Sequence, residues 1–213
     1  MSFEVIGLSG KAGSGKDWIA QNIYRKEREY YPSSLAWHFK VWAVGQKLCT
    51  FEEAFYTKPP HIRNLLQRMG TEEGRNVYGE GIWVDTMFAW FQLYHDMWGF
   101  TKFVVPDVRF RNELTGIQAH GGKVYRIIAP KRVALSPLTE AQRQHFSEID
   151  LDGVPLNDFD GVIYNDPEHA TSLRMQIHQL NGEPVNDDSG EFLTDIFTEV
   201  ENVANKIFRG LKL

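Results

Sequence analysis

Ile6-Gly7-Leu8-Ser9-Gly10-Lys11-Ala12-Gly13-Ser14-Gly15-Lys16-Asp17-Trp18-Ile19 is the stretch on which the fold turns. It holds the pattern G-x-x-x-x-G-K from Gly10 to Lys16. An apolar run, Phe3 to Leu8, precedes it and reads as a strand. A segment with Ile19, Ala20, Ile23 and Tyr24 on one face follows and reads as a helix. Strand, glycine loop and helix in that order make a phosphate site. Glycines let main-chain N–H groups converge on phosphate oxygens, because no side chain blocks the approach. The helix N-terminus adds partial positive charge, and Lys16 would reach the β- and γ-phosphates as a point charge. The competing reading is an ordinary glycine-rich turn between a strand and a helix. Positions 17 and 18 are Asp and Trp, so no hydroxyl follows Lys16. A Mg²⁺ ion would then be held by Asp17, by water, or by a carboxylate elsewhere.

The chain has 213 residues, 42% of them hydrophobic, enough for one sizeable α/β domain. Its single cysteine, Cys49, allows no intramolecular disulfide and no cysteine-based zinc site. It reads as a small buried hydrophobe in a reducing cytoplasm. The formal net charge is −5, which speaks against a nucleic-acid partner. The start is a strand rather than a charged segment before a long apolar run, so no signal peptide is expected. No uninterrupted apolar window is long enough for a membrane span.

Outward from the glycine loop, the first helix is predicted over about Ser14 to Tyr30, ending before Pro32. A second strand is predicted at Leu35 to Val41 and a helix at Val44 to Tyr56. Pro59-Pro60 breaks the chain. The next helix has Ile62, Leu65, Leu66 and Met69 as its apolar face, with Gly70 as its C-cap and a loop carrying Thr71, Glu72, Glu73 and Arg75. Trp83, Met87, Phe91, Tyr94 and Trp98 fall at helical spacing and predict a helix with an aromatic core stripe. Trp83, near Arg75, is the member considered for ligand contact.

Phe103-Val104-Val105 predicts a buried strand closed by Pro106, followed by Asp107-Val108-Arg109. A carboxylate at the carboxyl end of a buried strand can hold Mg²⁺ or a substrate in phosphate-loop enzymes, and can equally cap the next helix. Both readings stand for Asp107. A helix to about His120, a strand at Lys123 to Ile128 and a strand at Gly161 to Tyr164 follow. Between these two strands, 131–148 is polar, basic at its ends and interrupted by Pro137. It reads as a lid over phosphates or as a solvated insertion. A helix at about Thr171 to Leu180, a polar linker at Asn181 to Glu191, and a final helix at Leu193 to Leu211 complete the chain. The apolar face of that last helix, with Ile196, Phe197, Val200, Val203, Ile207 and Phe208, needs cover from the domain or from a second copy in a homodimer.

Strands alternate with helices throughout, so the expected fold is α/β, a mainly parallel sheet with helices on both faces. Phosphoryl transfer needs positioning and positive charge more than covalent chemistry. The chain offers Lys16, loop arginines at 63, 75, 109 and 132, and carboxylates at 17 and 107. Separate arginine groups suggest two phosphate-bearing ligands. Seven scattered histidines give no metal spacing, and no G-x-S-x-G elbow exists.

Taken together, G-x-x-x-S-G-K-D at Gly10–Asp17, L-L-Q-x-x-G-T-E-x-G-R at Leu65–Arg75, Trp83-Val84, D-V-R-F-x-N-E at Asp107–Glu113 and H-x-S-E at His145–Glu148 resemble the deoxynucleoside monophosphate kinases of bacteriophages. The resemblance runs from the first strand to about Asn165. It implies a three-layer P-loop kinase fold in a single domain: a core (1–43, 100–130 and 158–213), a monophosphate-binding region at about 44–99 and a lid at about 131–150. It implies transfer of the ATP γ-phosphate to a dNMP, with Mg²⁺, in the cytoplasm, of the host if the chain is phage-encoded. It assigns ATP to Gly10, Lys11, Ala12, Gly13, Ser14, Gly15, Lys16 and Asp17, with Asn165 near the adenine. It assigns the dNMP to Arg63, Gln67, Thr71, Arg75, Trp83, Asp107, Arg109 and Glu113. Lys16, Arg109 and Arg132 become the catalytic cations, and Asp17 the metal ligand. Two other readings remain: a small-molecule kinase of dephospho-coenzyme A or phosphomevalonate type, and a nucleotide-binding regulatory protein without turnover.

Overall fold

A computed structural model describes residues 3–136, 139–169 and 171–183. The chain separates into two compact units, Met1–Arg174 and Met175–Leu213. The first carries the sheet. The described part of the second is the rest of the Leu173–Leu180 helix and the turn to Glu183. The expected final helix at Leu193 to Leu211 lies outside the described residues, as does most of the expected linker. No described helix is long and apolar enough to cross a membrane.

Five strands, β1 (Glu4–Ser9), β2 (Tyr31–Pro32), β3 (Lys102–Val108), β4 (Lys123–Ile128) and β5 (Gly161–Tyr164), form one sheet in the order β2-β3-β1-β4-β5. Every pairing is parallel. The connection from β1 moves toward β2, whereas that from β3 moves the other way, across β1 to β4. Right-handed crossovers therefore put their helices on opposite faces. The first helical run, Lys16–Ile19 continuing through a wider π-helical stretch Ala20–Arg25 into Lys26–Arg28, covers one face. The helices Ile82–Trp98 and Arg111–Ala119 cover the other. This is the three-layer α/β arrangement expected, consistent with a P-loop kinase-like fold.

Strand alternation sorts the core accordingly. Val5, Phe103, Val105 and Val124 pack with Val84, Met87, Phe91, Leu114 and Ile117 in one cluster. Ile6, Leu8 and Val104 face the other way, and they are buried along with Ile19, Ala20, Ile23 and Tyr24 of the first helical run. The rings of Phe91 and Phe103 stack at 3.9 Å. The aromatic stripe of Ile82–Trp98 is core at Met87 and Phe91 but not at its end, where Trp98 is 57% exposed.

Several sequence expectations are corrected. Leu35 to Val41 is not a strand. Trp37–Gly45 is a helix, and the edge strand is the two-residue β2. The reason is a tertiary cap: Asp107 accepts the N–H groups of Leu35 and Ala36 and the hydroxyl of Ser34, which turns the chain into a helix. Pro32 is tolerated in β2 because an edge strand needs fewer main-chain donors. Pro106 does not close β3, which runs on to Val108. Gly70 is not a C-cap either. The helix Pro60–Arg68 continues as a π-helical stretch, Met69–Arg75. There the Gly70 carbonyl accepts the Trp83 indole N–H at 2.7 Å, and Gly74 lies under the Trp83 ring, where an added Cβ would come within 2.2 Å of Cζ2.

Candidate functional site

Strand register brings the site together. Ser9, the last residue of β1, pairs with Val108, the last of β3. The glycine loop that follows Ser9 and the Asp107–Arg109 segment therefore leave the sheet side by side at its carboxyl edge, where open α/β sheets place ligands.

The loop geometry depends on glycine at two positions. Gly13 and Gly15 have φ of +86° and +88°, the left-handed region. At Gly15 an added Cβ would also lie 2.2 Å from the Asn165 amide nitrogen. Asn165 donates to the Ser14 carbonyl at 2.8 Å and accepts from Arg132 at 3.0 Å. The Ser14 hydroxyl is buried without a partner among the described residues. Lys16 opens the helix directly after the loop. It is 5% exposed, and its ammonium has no hydrogen-bond or ion-pair partner among the described residues. Burial and the nearby Arg109 guanidinium lower its pKa, against the pull of Asp17, Glu148 and Asp107.

Lys16 opens on a cleft of about 380 Å³. Arg63, Gln67, Thr71, Arg75, Trp83, Asp107, Arg109 and Glu113, the eight residues assigned to an acceptor nucleotide from the sequence, all line this cleft, and so does Asp17. They come from four separate parts of the chain: the Pro60–Arg68 helix, the π-helical stretch, the start of Ile82–Trp98 and the end of β3 with the helix after it.

Their states differ. Arg75 is already engaged. Its guanidinium donates to Glu113 and, at 3.0 Å, to Asn112, and it lies 3.6 Å over the Phe110 ring. Glu113 also accepts the N–H groups of Arg109 at 2.7 Å and Phe110 at 3.1 Å, so it caps the Arg111–Ala119 helix. Its full burial raises its carboxyl to about 7, although Arg75 and the two N–H groups favour the ionised form. Asp107 does not cap that helix. Its oxygens face Ser34 Oγ at 2.6 Å and the N–H groups of Leu35 and Ala36 at 3.1 and 3.2 Å.

Arg132 is not among the residues that line this cleft. It bonds Asn165 beside the loop, in the short helix Pro130–Ala134 whose first N–H groups bond Asp166. Lys40, His145 and Ser147 also line the cleft and were not singled out from the sequence as ligand contacts. Lys40 lay in a segment read as strand, and no local pattern marks it. Burial, with Lys58 and Arg109 adding to it, lowers the Lys40 pKa to about 8. His145 and Ser147 carried a signal, the H-x-S-E motif, but were read only as lid.

Among the described residues no group of three or more His, Cys, Asp or Glu side chains could hold a metal by itself. A nucleotide-bound Mg²⁺ needs only one or two carboxylates, because phosphate and water supply the rest. Asp17 fits that demand: it lines the cleft next to Lys16 and is exposed. Asp107 fits it less well, since three donors already hold its oxygens.

No family model matches the chain. The deoxynucleotide monophosphate kinase of Enterobacteria phage T4 is 30% identical over 105 residues, which are 49% of this chain and 39% of that protein. The match thus spans about two fifths of that relative's length. A crystal structure of TT1252 from Thermus thermophilus superposes with a TM-score of 0.51 at 16% identity, over 87% of this chain and all of that one. That likeness is one of fold alone.

Proposed function

We propose that this protein is a phosphotransferase that moves the γ-phosphoryl group of ATP to a deoxynucleoside 5′-monophosphate, giving ADP and a deoxynucleoside diphosphate. The observation that carries the reading is Lys16. A nearly buried ammonium with no hydrogen-bond or ion-pair partner among the described residues is costly even with the carboxylates of Asp17, Glu148 and Asp107 in reach of its field, and an anion arriving at the glycine loop lowers that cost. The same cleft holds Arg109, Arg63 and Lys40, which can receive a second phosphate. The partial sequence match to the phage T4 enzyme supports the reading independently.

In this scheme the loop amides and Lys16 hold the ATP phosphates. Arg109 lies between the two ligands and stabilises charge on the phosphoryl group in flight. An oxygen of the acceptor monophosphate forms a bond to the γ-phosphorus as the bond to the ADP oxygen breaks, so no proton relay is needed. Asp17 would hold a Mg²⁺ that ATP brings, which would supply shielding of phosphate charge. Trp83 and Gln67 line the acceptor region, and Arg132 closes on the donor side of the loop. The test is product analysis after incubation with ATP, Mg²⁺ and each dNMP in turn. Formation of ADP and one or more dNDPs supports the reading. Transfer to none of them overturns it, in favour of another acceptor or of nucleotide binding without turnover.

A further inference from the structure

One carboxylate already occupies the phosphate machinery. Glu148, in the short helix Phe146–Ile149, is 11% exposed. Its Oε2 accepts the N–H of Ala12 in the glycine loop at 3.2 Å. Its Oε1 accepts from the Arg109 guanidinium at 2.5 Å. Its main-chain carbonyl accepts from the Lys11 ammonium. A loop amide and an arginine at the cleft are the donors a phosphate oxygen would take. While the Ala12 N–H is bonded to Glu148 it is not available to a phosphate oxygen.

The contact is not what ties this segment down. Asp152 binds Lys11 at 2.5 Å and Arg126 at 3.4 Å. Asp150 accepts the Arg111 N–H at 2.7 Å. These bonds hold the segment to the glycine loop, to β4 and to the Arg111–Ala119 helix independently of the Glu148 side chain.

The geometry assigns Glu148 the role of an internal phosphate surrogate: a positioning residue that holds Arg109 against the glycine loop and is displaced by nucleotide phosphates. While it sits there the phosphate-binding arrangement is preserved, but the incoming phosphate must compete with it. A site that is competent only part of the time binds more weakly by that fraction. The inference rests on the phosphate-loop part of the functional reading and not on the acceptor.

Calorimetric titration with inorganic tripolyphosphate tests this without turnover. Glu148→Gln and Glu148→Ala should both bind the probe more tightly than the wild type, by about tenfold. In steady-state turnover with ATP, KM should fall and kcat should fall as well, because Arg109 is no longer held in place. A merely structural role has the opposite sign: binding weakens when a support is lost. Unchanged or weaker tripolyphosphate binding in both variants overturns the surrogate, whatever the enzyme transfers. Tighter binding together with no transfer to any dNMP leaves the surrogate standing and removes the kinase reading. Absence of tripolyphosphate binding in every form overturns both.

Discussion

The carboxylate of Asp107, near the end of β3, accepts the hydroxyl of Ser34 at 2.6 Å from 73 residues away. With the N–H groups of Leu35 and Ala36 on the same carboxylate, this one side chain starts the Trp37–Gly45 helix and so places Phe39 and Lys40 on the cleft. Asp107→Ala would leave the Ser34 hydroxyl and the Leu35 N–H without this acceptor, while the Ala36 N–H keeps only its bond to Ser34 Oγ at 3.2 Å. The expected cost is about 2–3 kcal/mol in urea unfolding, with Asp107→Asn costing less because it keeps one acceptor oxygen. An unchanged midpoint for Asp107→Ala would show that the cap is dispensable.

Lys16 trades stability for function. Its folded-state pKa is lowered, so the unfolded chain binds more protons between that value and 10.5, and the stability of the ligand-free protein rises with pH through that window. Lys16→Met removes the buried charge. It should raise ligand-free stability by about 1 kcal/mol or more and abolish ATP turnover. Thermal unfolding and a coupled ADP assay report the two effects separately, and retained turnover would contradict the assigned role.

Gly74 lies against Trp83, so Gly74→Ala drives a methyl group into the indole, 2.2 Å from its Cζ2. The indole N–H bond to Gly70 should be lost or displaced, costing about 1–3 kcal/mol. Six tryptophans complicate total fluorescence, so the KM for the acceptor, expected to rise severalfold with the KM for ATP unchanged, is the sharper measurement.

Lys40 gives the acceptor side a pH dependence. Its pKa of about 8 in the free protein means that it loses charge as pH rises past that value, and a phosphate dianion then loses a partner. The KM for the dNMP should increase from pH 7 to pH 9. Lys40→Met should raise the KM at pH 7 and flatten the profile, whereas a profile identical to wild type would take Lys40 out of the site.

Local patterns made the central layers of this fold legible. The loop at Gly10–Lys16, the strands at Lys123–Ile128 and Gly161–Tyr164, and the helix of Met87 and Phe91 each follow from a spacing or a punctuating residue that acts over a few positions. Two of the misread elements are settled from far along the chain. The Leu35–Val41 segment has strand composition, but Asp107 captures its N–H groups. Gly70 looks like a helix end, but Trp83 takes its carbonyl and the helix widens instead of stopping. The same distinction runs through the site. The eight residues expected at an acceptor nucleotide were legible because motifs mark them, and all of them line one cleft, whereas Lys40 reaches it through a helix that the sequence did not announce, and Arg75 is already paired with Glu113.

The central claim is that two nucleotides lie end to end, with one phosphate chain running from the glycine loop to Arg109. A crystal structure with a dinucleoside pentaphosphate carrying adenosine at one end and a deoxynucleoside at the other tests it most directly. The expected result is a phosphate chain on the loop amides, Lys16 and Arg109, with the deoxynucleoside end in the cleft beside Gln67 and Trp83. A ligand bound elsewhere, with Lys16 and Arg109 both untouched by phosphate, would contradict it.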